Sequence, residues 1–221
     1  MTIKPRTIKG RTIKRSDFVK GRTAVVPANV AVGALNNKFA WAQAADFGSD
    51  VDVLNYALTL EYLEAEFYRQ GNSAGLLSGK EKQYLDKIQV DEESHVATIS
   101  ATITKLGGSP VAAPGVDFGD AFESRSKYLT TSHTFENTGV SAYLGAAGFI
   151  KDKMILQAAA GIFGVEARHA AIVGNLLGLE PEGGVYMGAT ETPLTSAQVL
   201  DAVSPFLTGP GPMKDDAVTT L

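Results

Sequence analysis

The chain has 221 residues, 44% of them hydrophobic and 20% charged, which is enough to bury one sizeable core. Its formal charge of −4 and pI near 5.4 argue against a nucleic-acid partner, because the basic residues gather at the N-terminus and not on any later helix face. Cysteine is absent, so disulfides, thiolate zinc sites and iron–sulfur clusters are excluded and any metal must be held by oxygen and nitrogen ligands.

Residues 1–48 read as a basic leader or arm. Lys4, Arg6, Lys9, Arg11, Lys14, Arg15, Lys20 and Arg22 are accompanied by one acid, Asp17, and are followed by the apolar stretch VVPANVAVGAL and the small-x-small run AWAQAA. That is the order of a secretory signal. The run RSDFVK is similar to the twin-arginine export signal, with Ser16 where a second Arg is expected. An exported, periplasmic or extracellular protein is therefore expected, or a cytoplasmic one whose retained arm joins a homo-oligomer or larger assembly. The apolar stretch is too short and polar to span a bilayer. A TIK triplet recurs at 2–4, 7–9 and 12–14.

Residues 49–178 predict four helices with explicit stops. Ser49 with Asp52 opens the first, and Gly71-Asn72 ends it. Ser78-x-x-Glu81 opens the second, which runs to Leu106 and stops at Gly107-Gly108. A Pro/Gly-rich crossover over 108–119 leads to a third helix whose start is marked by Asp120-x-x-Glu123 and which runs to Gly148. The fourth spans Lys151 to Leu177, with Gly178 as its stop. Residues 179–221 form an extension in which Thr195-x-x-Gln198 caps a short helix ending near Pro205, before a frayed tail GPGPMKDDAVTTL. The fold class is all-α: a four-helix bundle with a long crossover between helices two and three, plus a short C-terminal helix.

One constellation occurs twice along these helices. Glu61 is followed by Tyr68 and then by Glu92-x-x-His95; Glu136 is followed by Tyr143 and then by Glu166-x-x-His169. In both copies the Tyr lies seven residues after the lone Glu. One Glu or one Glu-His pair per helix is the ligand set that two metal ions need inside a four-helix bundle. The stripes Leu54, Leu58, Glu61, Ala65, Tyr68 and Leu85, Ile88, Glu92, His95, Ile99, Leu106 put these acids on core-facing seams. Ile155, Ala159, Ile162, Glu166, His169, Val173 and Leu176 do the same, while the stripe through Tyr128, Ser132, Glu136 and Tyr143 is mixed. Buried carboxylates persist only when paired, protonated or bound to metal. Two cations would satisfy four of them, and a carboxylate-imidazole site suits iron or manganese, with zinc as an occupant in vitro. Glu92 and Glu166 are expected to bridge two ions and Glu61 and Glu136 to cap opposite ends.

Other residues carry a blander expectation. Tyr68 and Tyr143 read either as amphipathic core residues or as hydrogen-bond donors to ligand carboxylates. Glu64 lies one turn from Glu61 as a candidate extra ligand or base, yet like Glu66 it is expected on a solvated flank. Glu93 is expected in solvent, and His133 is a surface imidazole whose place before Glu136 makes it an outside ligand candidate.

The blocks LNYALTLEYLEAEFY, DEESH, FENTGVSAYLGAA and IFGVEARHAAI resemble the helical signatures of the ferritin-like superfamily, and within it most resemble desiccation-related and secreted bacterial ferritin-like proteins. The resemblance covers about residues 50–178. It implies an up-down-down-up bundle with a pseudo-twofold axis, and a dimetal site at Glu61, Glu92, His95, Glu136, Glu166 and His169. It implies a di-iron or iron/manganese protein that oxidises Fe(II) or reduces O2 or peroxide in stress protection, as an oxidoreductase or ferroxidase. The alternative is a non-enzymatic stress, desiccation or assembly protein with a structural or vestigial metal site.

Overall fold

A computed structural model of the protein describes residues 47–210. The basic leader with its TIK repeat and export-like run, and the tail from residue 211, lie outside the described residues. Four long helices dominate: α1 (Asp50–Ser73), α2 (Gly79–Lys105), α3 (Arg125–Ala147) and α4 (Lys153–Leu176). They are joined by a strand β1 (Pro114–Val116) in the crossover and followed by α5 (Ser196–Val203), a 3-10 turn (Ser204–Phe206) and β2 (Leu207–Pro210). None of these helices is long and apolar enough to cross a membrane.

Local signals fix most of the helix ends, with corrections. The Ser49 hydroxyl accepts from Asp52 N at 3.2 Å and donates to the Asp52 carboxylate at 2.9 Å. The first helix passes the expected stop at Gly71-Asn72, reaches Ser73, and ends where Gly75 takes φ +69°. Gly71 stays helical, and the Tyr128 ring packs against its bare Cα. Ser78 makes no side-chain cap; its expected partner Glu81 is drawn off by the Arg125 guanidinium at 2.9 and 2.5 Å. Asp120 and Glu123 do not start α3. They form a turn in which Glu123 N donates to Asp120 O at 3.1 Å, and Ser124 caps the helix by accepting from Lys127 N. Asp152 caps α4, accepting from Met154 N at 2.7 Å and from Ile155 N at 3.3 Å, so α4 starts at Lys153 and not at Lys151. The Thr195–Gln198 capping box forms in both directions.

Contacts at the helix ends set the directions. The end of α2 lies by the start of α1: Asn55 donates to Ser109 O and accepts from Val111 N at 2.8 Å. The start of α3 lies by the start of α2, through Arg125 and Glu81, and by the end of α1, where the Tyr128 hydroxyl donates to Asn72 at 2.8 Å. The crossover therefore travels the length of the bundle, and α2 and α3 run the same way. Two antiparallel hairpins, α1–α2 and α3–α4, face each other in an all-α bundle of ferritin-like form. The segment expected to fray is partly ordered, since Gly209 and Pro210 pair antiparallel with Gly115 and Pro114, and Asp117 N donates to Phe206 O at 2.9 Å.

The core has an aromatic part and an aliphatic part. Phe67 meets Phe118, Phe122, Tyr128 and Phe135 with ring centroids 4.9–5.3 Å apart. Leu54, Leu58, Ile99, Ile103 and Ile155 form a second cluster. Leu106, expected on the α2 seam, is 45% exposed because the helix stops before it, and Ile103 fills that place. Along α1, Glu61 sits between Leu58 and Phe67, so the seam delivers a carboxylate to the middle of the bundle.

Candidate metal centre

Each of the four long helices contributes acid to one buried point. Glu61, Glu92, Glu136 and Glu166 are all 0% exposed, with His95 and His169 buried beside them. His95 Nδ1 lies 3.2 Å from Glu61 Oε2, 3.2 Å from Glu92 Oε2 and 3.3 Å from Glu166 Oε1. His169 Nδ1 lies 3.0 Å from Glu92 Oε1 and 3.3 Å from Glu136 Oε2. The two rings are 6.4 Å apart. The six side chains fall into two overlapping groups, Glu61-Glu92-His95-Glu166 and Glu92-Glu136-Glu166-His169, in each of which the candidate donor atoms lie within 4.8 Å of one another. Glu92 and Glu166 belong to both groups, Glu61 and Glu136 to one each.

This cluster is poorly satisfied by the protein alone. Glu92 Oε1, Glu136 Oε2, both Glu166 oxygens and His169 Nδ1 are buried without an aligned hydrogen bond. An unsatisfied buried polar group costs about 1–3 kcal/mol, and a charged one more, so so many of them at one point describe donors aimed at something other than each other. The donor set, carboxylate oxygen and imidazole nitrogen, fits divalent transition metals.

Electrostatics tell the same story. Burial, and then the charge of Glu166, hold the Glu92 carboxyl well above the usual carboxylate range; burial does the same to Glu166. Burial opposes a charged His95, but Glu166, Glu61 and Glu92 outweigh it and push the imidazole up to about 12. His169 is raised to about 9 against its own burial, chiefly by Glu136. Burial and crowding of like charge thus favour protons on Glu92 and Glu166, and the carboxylates favour protons on both imidazoles. Cations of higher charge can replace them.

Both tyrosines are hydrogen-bond donors to these carboxylates, each to the lone Glu of the other copy. The Tyr68 hydroxyl donates to Glu136 Oε1 and also meets Ser132 Oγ at 2.6 Å. The Tyr143 hydroxyl donates to Glu61 Oε1. The seven-residue spacing that repeats in the sequence thus ties the two hairpins together. Beside Tyr143, an apolar cavity of about 50 Å³ is walled by Leu60, Ile99, Ala146, Ile155 and Ile162. Its exposed wall residues, Thr98 and Ala158, place its mouth between α2 and α4.

Several expectations are corrected. Glu64 is not on a solvated flank: it is 4% exposed, its Oε1 has no partner, and burial followed by the charge of Glu166 raises its pKa. The α1 seam is wide enough to take in the residue one turn from Glu61. His133 is half-buried under the Gly184 carbonyl, which belongs to the loop after α4, and belongs to neither donor group. Glu66 pairs with Arg69 at 2.6 Å and Gln70 at 2.7 Å, and Glu93 is exposed. Asp91 carried no signal in the sequence, yet its Oδ2 lies 3.2 Å from His169 Nε2.

Among curated proteins none matches the chain. A family model described as a ferritin-like domain matches residues 49–179, the stretch that carries all four long helices and all six converging side chains, and the chain belongs to that ferritin-like family.

Proposed function

We propose that the cluster is a dimetal-carboxylate centre, with iron or manganese held by Glu61, Glu92, His95, Glu136, Glu166 and His169, and that the protein oxidises Fe(II) or reduces O2 or peroxide as a protective oxidoreductase. The observation that carries this reading is the convergence of buried donor atoms, several without an aligned hydrogen bond, in two groups that share Glu92 and Glu166. In that assignment Glu92 and Glu166 would be shared by the two ions, while Glu61 and Glu136 would each hold one. A bound pair of iron ions would supply two electrons, enough to reduce O2 to hydrogen peroxide or hydrogen peroxide to water.

The chain's own residues do the rest. Tyr68 and Tyr143 fix the rotamers of Glu136 and Glu61 by donating to one oxygen of each, leaving the other oxygen turned inward. Glu61, Glu92, Glu136 and Glu166 are themselves inaccessible, so bulk water is kept from the carboxylates. The apolar cavity that reaches Tyr143 favours entry of an uncharged, weakly hydrated oxidant, which supports O2 over peroxide. Export through the basic leader belongs to the same proposal and is tested by N-terminal sequencing of the mature protein.

The function is tested by loading the protein anaerobically with Fe(II), mixing with O2 or peroxide, and following oxidation by stopped-flow absorbance. Oxidation faster than free Fe(II) in the same buffer, abolished in Glu92→Ala/Glu166→Ala, is the expected result. Metal binding without accelerated oxidation would instead assign the centre a structural role.

A further inference from the structure

The sequence repeat makes the two donor groups look equivalent, but their surroundings are not. The residue four before the lone Glu is Ala57 in one copy and Ser132 in the other; the residue three after it is Glu64 in one and Gly139 in the other. The residue before the ExxH glutamate is Asp91 in one and Val165 in the other. Every polar member of these pairs acts on the same side of the centre. Ser132 supports the Tyr68 hydroxyl that holds Glu136. Asp91 accepts from His169 Nε2, while among the described residues no carboxylate forms an ion pair with His95 Nε2. Glu64 Oε1 and Glu166 Oε2 both lie at Gly139, three residues after Glu136 on α3, whereas the Glu166 oxygen that meets His95 is Oε1. Gly139 makes room for this: a Cβ there would stand 3.0 Å from Glu166 Oε2 and 3.5 Å from Glu64 Oε1, so the two oxygens flank a methyl-sized gap.

The other group has the apolar member of two of these pairs. Ala57 and Val165 give no donor or acceptor, and Tyr143, which holds Glu61, borders the cavity. A metal-binding imidazole whose second nitrogen donates to a carboxylate is a stronger and better-oriented ligand, and a further buried carboxylate raises the local attraction for a cation.

We infer that the two metal positions are unequal by construction: the Glu136–His169 position binds a divalent transition metal more tightly and fills first, with Asp91, Ser132 and Glu64 as its positioning residues, and the Glu61–His95 position binds the second ion more loosely beside the cavity. This rests on the dimetal reading above. It makes the looser position the one at which an ion is exchanged, and it allows the two positions to hold different metals.

Anaerobic calorimetric titration of the full chain with Co(II), followed in parallel by the visible absorption of the bound ion, tests it without any turnover. The wild type is expected to show two steps separated by at least about tenfold. Asp91→Asn, at a partly exposed position, is expected to weaken the tighter step by roughly 10–100-fold and leave the weaker one alone. Glu64→Gln is expected to weaken the same step. Val165→Asp, which gives the other copy the residue at Asp91's place, is expected to strengthen the weaker step and narrow the gap. Two equal steps, or an Asp91→Asn effect spread evenly over both, would overturn the inference and leave the dimetal centre standing. No Co(II) binding at all by a folded wild-type chain would sink both.

Discussion

At Gly71 the Tyr128 ring of α3 packs against the backbone of α1, and replacing the glycine with alanine should be costly despite the helix it sits in. A Cβ at position 71 would fall 2.2, 2.4 and 2.9 Å from three carbons of the Tyr128 ring. Tyr128 has no room to yield: it is 0% exposed, packs on Phe67 and Phe122 at 5.3 and 5.7 Å, and holds Asn72 at 2.8 Å through its hydroxyl. Overpacking of this kind costs about 1–3 kcal/mol, and losing the Asn72 bond adds about 1 kcal/mol. The gain in helix propensity returns about 1 kcal/mol, so Gly71→Ala is expected to lose roughly 1–3 kcal/mol net. Gly161, exposed in the body of α4 with nothing within 4 Å of a new Cβ, receives only the propensity gain. Thermal unfolding of the metal-free protein by circular dichroism should therefore place Gly71→Ala below wild type and Gly161→Ala above it, at about 2–4 °C per kcal/mol for a domain of this size. Because Tyr128 also packs against Tyr68 at 6.4 Å, Gly71→Ala should weaken metal binding as well. A Gly71→Ala protein as stable as wild type would refute the packing argument.

Tyr68→Phe should destabilise the metal-free protein by about 1–3 kcal/mol, and more than Tyr143→Phe, because the Tyr68 hydroxyl serves two inaccessible partners, Ser132 and Glu136; equal losses in urea unfolding would contradict that. The metal-free protein should lose stability as pH rises. His169 and His95 are raised from 6.5 to about 9 and about 12, so their contribution is complete below pH 6.5 and is lost through those values. Glu64, Glu92 and Glu166 are raised from 4.5, so the folded chain binds more protons than the unfolded one above that pH, and the sign is the same. A metal-free Tm that rises between pH 5 and 9 would show this proton ledger to be wrong. Ala159→Leu, which intrudes on the cavity wall, should slow oxidation by O2 while leaving metal stoichiometry intact; an unchanged rate would remove the cavity from the route.

What could be read from residues alone was whatever local periodicity controls. Glu61, Glu92, His95, Glu166 and His169 interrupt apolar seams at helical spacing, so their burial followed from position, and the Gly-rich stop after Leu106 and the Thr195–Gln198 cap followed from local chemistry. Glu64 was misjudged because i and i+3 positions share a face, and how wide the buried face becomes depends on what α3 presents opposite it; Gly139 supplies the space. The cap at Ser78 failed because Arg125, distant in sequence, competes for Glu81. Asp91 carries no periodic signal, since a residue at the rim of one helix meets His169 only through the packing of α2 against α4. Strand pairing between residues 114–116 and 207–210 is likewise a long-range contact between two short irregular segments.

The most direct test of the dimetal account is elemental analysis of the protein purified from its native source, alongside the Glu92→Ala/Glu166→Ala variant. The account predicts about two iron or manganese ions per chain, the number a four-helix carboxylate centre holds, and their loss in the variant. Absence of stoichiometric metal even after anaerobic Fe(II) loading would contradict it and leave the converging carboxylates without a cation to explain them.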